Sequence, residues 1–216
     1  MSVSGTYIQA LNQLNKKERH AERGTRQQSA WTLLRGGNEK ALLDIYDLCY
    51  DQLYMYGYQI SRDSALTEDC IQDIFLELWE KRNKLPDVTF VNAYLLKILK
   101  RRLLKLMSSA SGELNIDETT PGLVDGSMED LIIDDENNHA LAVRLKLALS
   151  KLTKRQREVI GLKFFNDLSY DEMAVFTGLS QQRIYNLVHE AVRHLRSSLF
   201  STPRHVAALF LALILF

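Results

Sequence analysis

Cysteine is scarce in this chain: Cys49 and Cys70 are the only two among 216 residues. The N-terminus is polar, with Lys16, Lys17 and Arg19 and no apolar run after them, so no secretory signal is expected. The two cysteines therefore read as free thiols in a reducing cytosol, with Cys70 on a helical stripe as core. A glycine-rich phosphate loop of either common kind is missing. His189 and His194 are five apart, so they do not share a helix face as metal ligands would, and no cysteine pair accompanies them. No Ser, His and Asp set forms a local catalytic motif. The expectation is a chain with no catalytic residues, no metal and no cofactor. It also lacks an excess of either charge, with 27 basic and 27 acidic residues.

The distribution of that charge says more than its sum. From Ser108 to Asn138 there are nine acidic residues and no Lys or Arg. From His139 onward eleven Lys or Arg stand against five Asp or Glu, about +6. That pattern suggests a basic binding domain and an acidic linker able to screen it.

The stretch from Leu152 to Leu199 predicts three helices with two short turns. Arg155 to Phe165 form the first. Ser169 is placed to cap the second, with Glu172 at capping-box spacing, and Gly178 ends it in a position that glycine tolerates cheaply. Ser180 opens the third. A short helix, a tight turn and a longer helix make a helix-turn-helix. On the third helix Ile184, Leu187, Val188, Ala191, Val192, Leu195 and Leu199 make one apolar stripe. Off it lie Gln181, Gln182, Arg183, Tyr185, Asn186, His189, Arg193 and Arg196, side chains suited to base edges and phosphates. An ordinary surface helix would carry similar residues; the complete three-helix pattern favours DNA.

Residues 1–28 are polar and of mixed charge, and are expected to be a loosely held, flexible segment. Residues 29–107 predict helices throughout. One spans roughly Glu39 to Gln59. The next, Leu66 to about Lys81, carries Cys70, Ile71, Ile74, Phe75, Leu78 and Trp79, with Thr67 as its cap and Glu68 and Asp69 in its first turn. Asn83 to Thr89 is a loop with Pro86 as breaker. Phe90 to Met107 is a further helix, and Lys97, Lys100, Arg101, Arg102 and Lys105 form a basic stripe on it of the kind that meets a phosphate backbone. Residues 108–138 are turn-rich and acidic, a flexible linker. A helix from Asn138 to about Lys151 starts the second domain, residues 139–200. The fold class is thus all-α: two small helical domains joined by a flexible acidic linker.

Residues 201–216 end in eleven apolar residues, Val206 to Phe216. As a helix these reach about 16 Å, whereas a bilayer core takes about twenty residues. The tail packs on the protein or a partner, contacts a membrane surface peripherally behind Arg204, or begins a longer apolar segment; the residues leave these open.

Two helical regions, an acidic linker and a helix-turn-helix resemble the extracytoplasmic-function (ECF) sigma factors of bacteria, over roughly residues 31–199. SALTEDCIQDIFLELWEKR is similar to the family's region-two helix, with Ala65, Glu68-Asp69, Gln72, Asp73, Phe75 and Trp79 in place. The resemblance implies that Asp69, Gln72, Asp73, Phe75 and Trp79 bind core RNA polymerase at the β′ clamp helices. NAYLLKILKRRLLKL resembles the promoter-melting segment, with Tyr94 at a tryptophan position and Arg101 where asparagine is usual. By that likeness Asn92, Tyr94, Lys97, Lys100, Arg101 and Lys105 contact the minus-ten element as single strand, by stacking and cationic contacts. Residues 152–199 resemble region four. Leu152-Thr153 replaces the usual Leu-Pro, and Leu187 and Glu190 stand where arginine is frequent. Ser180, Gln181, Gln182, Arg183, Tyr185, Asn186, His189 and Arg193 would then read the minus-thirty-five element. The implied partners are core RNA polymerase, including the β flap, promoter DNA and an anti-sigma factor. The competing reading is a helix-turn-helix regulator that binds duplex DNA alone, as a dimer.

Overall fold

A computed structural model describes the backbone of residues 3–111 and 136–199, with side chains described within 18–109 and 143–199. The expectations placed on most of the linker and on the apolar tail lie outside the described residues. All regular elements among the described residues are helical.

The first helix, α1 (Val3–Arg35), runs unbroken through position 28, where the sequence suggested the end of a flexible segment. It stops at Gly36-Gly37, where Gly37 takes φ +90°. Asn38 then caps α2 (Glu39–Ser61) by accepting the Ala41 N–H. The next helix, α3 (Ser64–Glu80), starts earlier than expected. Its cap is Asp63, whose carboxylate accepts the Leu66 N–H, and not Thr67. Thr67 is instead fully buried, its hydroxyl donating to the Asp63 carbonyl. A 3-10 turn (Arg82–Lys84) leads by an extended segment to α4 (Val91–Ser111).

After the acidic stretch come α5 (Glu136–Ser150), α6 (Lys154–Ile160) and a π-helical turn (Gly161–Phe165), then α7 (Tyr170–Thr177) and α8 (Gln181–Leu199). Two reciprocal capping boxes start α6 and α7: Thr153 with Gln156, and Ser169 with Glu172. Gly178 closes α7 at φ +72°, the left-handed conformation that lets the chain turn into α8.

Trp31, Leu34, Ile45, Leu53, Ile71, Ile74, Leu95 and Leu99 are enclosed where α1 to α4 pack together. Gly57 allows a close approach there: a Cβ would lie 2.6 Å from Thr67 Cγ2 and 3.2 Å from Leu99 Cδ2. The second core gathers Leu149, Val159, Leu162, Met173, Ile184, Ala191 and Leu195 as α5, α6 and α7 pack on α8. Along α5, Leu145 and Leu149 face inward while Val143 and Leu147 are exposed, as a 3.6-residue period requires. The two groups touch through α4 and α7.

Candidate nucleic-acid interface

The third helix of the helix-turn-helix presents its polar side to solvent. Ile184, Leu187, Val188, Ala191, Leu195 and Leu199 hold α8 to the core, as its apolar stripe requires. Ser180, Gln181, Gln182, Arg183, Tyr185, Asn186, His189 and Arg193 are all exposed. Ser180 accepts the Arg183 N–H, which sets the helix start. Gln181 bonds Asp171 of α7, and Gln182 donates to Asn186 one turn on at 3.0 Å. The Tyr185 ring is bracketed by Tyr170 and by His189, whose centroid lies 6.4 Å away, nearly parallel. These contacts order the polar face without covering it. Helix length, amide pairs and the three exposed guanidiniums of Arg183, Arg193 and Arg196 fit a major groove.

On α3 the residues expected to meet polymerase divide into two sets. Asp69, Gln72 and Asp73 are exposed and share one face. Phe75 corrects the expectation: it is 6% exposed and packs edge-on against Tyr46 at 5.0 Å, fastening α3 to α2. Trp79 is half-buried, with the Arg82 guanidinium 4.3 Å above its ring. The apolar side chain that the face does display is Leu76, 64% exposed, which the sequence reading missed. Its signal was available: Leu76 lies three or four residues from Gln72 and Asp73, off the buried stripe. Glu77 beside it pairs with Lys81 and Arg102, and Lys81 first, then Arg102, holds its carboxyl below the ordinary value despite some burial. Arg102 also reaches Asp73 at 3.4 Å.

The α4 residues are only partly available. Lys97 is half-buried, and Arg101 and Lys105 are exposed. Tyr94 is half-buried and meets Trp31 edge-on at 5.5 Å. Asn92 corrects the expectation of a DNA contact. It has no exposed surface, and its amide donates to Gln52 Oε1 at 2.6 Å. Lys100 is also engaged: it donates to Glu158 Oε1 of α6 at 2.9 Å and lies 5.4 Å from the Phe176 ring centroid.

Further contacts tie the second helical group to the first. Gln52 accepts from Arg23 and Asn92 and donates to the Asn166 carbonyl at 3.0 Å. Tyr56 packs edge-on against Phe176 at 5.5 Å. His20 of α1 meets Glu172 at 2.7 Å, on the carboxylate that also caps α7. Burial alone would raise the Glu172 carboxyl; hydrogen bonds from His20 and Ser169 outweigh it and hold the group below its ordinary value. The α4 basic stripe thus lies partly beneath α6 and α7, while the outer faces of α3 and α8 stay open.

Comparison with known proteins follows this division. The family model "Sigma-70 region 2" matches residues 45–112, and "Sigma-70, region 4" matches residues 142–195. The ECF RNA polymerase sigma factor SigK of Mycolicibacterium vanbaalenii is 25% identical over 170 residues, covering 74% of this chain and 82% of that protein. SigL of Mycobacterium tuberculosis is 22% identical over 165 residues, covering 72% and 86%. In fold, the chain is similar to CnrH, solved in complex with the cytosolic domain of CnrY. That match has a TM-score of 0.55 at 17% identity and covers 82% of this chain and 99% of that one. With both conserved regions present in order, the chain belongs to the sigma-70 family of RNA polymerase subunits, in its extracytoplasmic-function group.

Proposed function

We propose how this sigma factor divides its work, binding core RNA polymerase and directing promoter recognition, DNA melting and the start of transcription. Polymerase docks on the exposed face of α3: Asp69, Gln72 and Asp73 supply polar contacts, and Leu76 and the edge of Trp79 supply apolar area. Tyr94, Lys97, Lys100, Arg101 and Lys105 of α4 hold the melted minus-ten strand by stacking and backbone charge. The exposed row on α8 from Ser180 to Arg193 reads the minus-thirty-five element. Chemistry is left to polymerase, and the partners are core polymerase, promoter DNA and an anti-sigma factor. No helix among the described residues is long and apolar enough to cross a membrane. The cytoplasmic setting of this proposal rests on its partners, core polymerase and promoter DNA.

The packed arrangement is the resting one in this reading. Elements about 25 base pairs apart lie roughly 85 Å apart at 3.4 Å each. A packed chain of this length has a radius of gyration of about 17 Å. The packed arrangement is too small to reach both elements, so the two regions separate on the promoter and free Lys100 as they do.

The observation that carries the reading is that both outer faces, on α3 and α8, are left open by two regions that match the same family. Run-off transcription with purified core RNA polymerase, with and without this protein, tests it. Discrete transcripts that depend on the protein are expected. Their absence, together with tight binding of the protein alone to duplex DNA, would establish the dimeric regulator instead.

A further inference from the structure

A cleft of about 160 Å3 lies between α4 and the α6–α7 pair. Its walls carry four cations, Lys97, Lys100 and Arg101 from α4 and Arg155 from α6, against one carboxylate, Glu158. Each oxygen of that carboxylate is already taken: Lys100 holds Oε1 at 2.9 Å and Arg155 holds Oε2 at 2.8 Å. Lys97 and Arg101 have no acidic partner among the described residues. The rest of the lining includes Leu104 and Phe176, both nearly enclosed.

We infer that this cleft is a binding site for a small phosphate-type oxyanion, a phosphate or diphosphate group, and that it is complete only while the two helical groups are packed. The lining carries a net charge of +3, with Lys97 and Arg101 uncompensated, over an apolar floor where the field is stronger than in water. An occupant with two or more negative charges offsets that charge. Planar guanidiniums donate in forks that match the oxygens of a phosphate, and Lys97 adds a mobile point charge. The volume equals that of about five waters, sufficient for a diphosphate. The floor offers no base a stacking surface, because Tyr56 meets the Phe176 ring at 5.5 Å and Lys100 lies 5.4 Å from its centroid. The specificity is therefore for the phosphate group and not for a nucleoside.

Because α4 supplies three of the cations and α6 the fourth, the ligand bridges the two regions. Mass action then shifts the chain toward the packed state. The same ion competes with promoter phosphates for Lys97, Lys100 and Arg101, so it opposes promoter binding in two ways. A nucleic-acid backbone carries the same group but engages the α4 stripe only after the regions part.

Titration calorimetry on the full chain tests this, with inorganic phosphate and pyrophosphate as probes and chloride at matched ionic strength as reference. Saturable one-site binding is expected, tighter for pyrophosphate. Arg155→Gln should weaken it at least tenfold. Lys154→Gln, which removes an exposed charge from the same helix outside the cleft, should leave it unchanged. Dyes on α3 and α8 should report more of the packed state when pyrophosphate is added to the unsubstituted chain, and no change in Arg155→Gln. No saturable binding, or equal weakening by both substitutions, would overturn the proposal. So would pyrophosphate that binds but leaves the dye signal unchanged. Run-off transcription by Arg155→Gln separates the two readings: transcripts from a variant chain whose unsubstituted form binds no pyrophosphate would sink the cleft and leave the promoter assignment standing.

Discussion

Lys100 and Glu158 lie 58 positions apart and meet at 2.9 Å with their side chains 13% and 5% exposed. Removing one member of such a pair leaves a charge poorly hydrated, which costs about 3 kcal/mol in comparable sites. Arg155 remains on the other carboxylate oxygen and softens the loss. Lys100→Met should therefore loosen the packing of α6 and α7 on α4. Hydrogen exchange in α7 is expected to speed up, with little change in the core of α2; equal protection in both chains would mean that the pair does not hold the seam.

Leu76 stands out from α3 between Gln72 and Glu80. Leu76→Asp with Gln72→Ala should lower affinity for core polymerase tenfold or more, the effect of losing about 1.4 kcal/mol or more. Far-ultraviolet circular dichroism and melting temperature should stay near those of the unsubstituted chain. Leu33→Asp on α1, equally exposed in kind, is the control expected to bind normally.

On α8, Arg193 and Gln182 test two kinds of DNA contact. Arg193→Ala should weaken binding to all promoters alike and reduce the salt slope by about 0.9. Gln182→Ala should cost about 1–3 kcal/mol on the preferred minus-thirty-five sequence and little on others. Binding isotherms of polymerase holoenzyme at several salt concentrations measure both.

The lowered Glu172 carboxyl sets a pH dependence with a definite sign. The unfolded chain takes up a proton at a higher pH than the folded chain, so this group stabilises the fold above its unfolded value. That contribution is lost as pH falls through the lower, folded value. Denaturant titrations should show stability declining on the acid side of the ordinary glutamate range, and Glu172→Gln should flatten the decline. A decline of the same depth in that variant would assign it to other carboxylates.

Burial pushes the Cys49 thiol up to about 12, a shift that Arg23 and Gln27 only partly offset, and burial raises Cys70 as well. The thiolate is the reactive form. Both cysteines should resist alkylation at pH 8 in the folded chain and react in denaturant, which makes mass-resolved alkylation a measure of opening.

What could be read from residue order was local. Ser169 with Glu172, Gly178, and the stripe from Ile184 to Leu199 are set within a few residues, and they appear in the structure where their spacing puts them. Phe75 and Leu76 show where this fails. Both are apolar, and only the position of α2 determines that Phe75 is covered by Tyr46 while Leu76 is left outside. Asn92 was misread for the same reason, since its partner Gln52 is 40 positions away. The seam was invisible: His20 and Glu172 are 152 positions apart, and no periodicity links them. The length of α1 was missed because its polar, mixed-charge sequence has no strong apolar period, and its described side chains, such as Gln27 on Leu48 and Cys49, are held by partners on α2.

Glu158 has a consequence for how promoter binding responds to salt. A cation that reaches a phosphate from free solution releases a counterion, and the count of such releases sets the slope of affinity against salt. Lys100 and Arg155 begin instead on a carboxylate of their own chain. Under the proposed function, Lys100 passing from Glu158 to DNA would exchange one fixed anion for another and release fewer mobile ions than its charge suggests. The measured slope should therefore undercount the phosphates this sigma factor touches, and removing the Glu158 charge should steepen it.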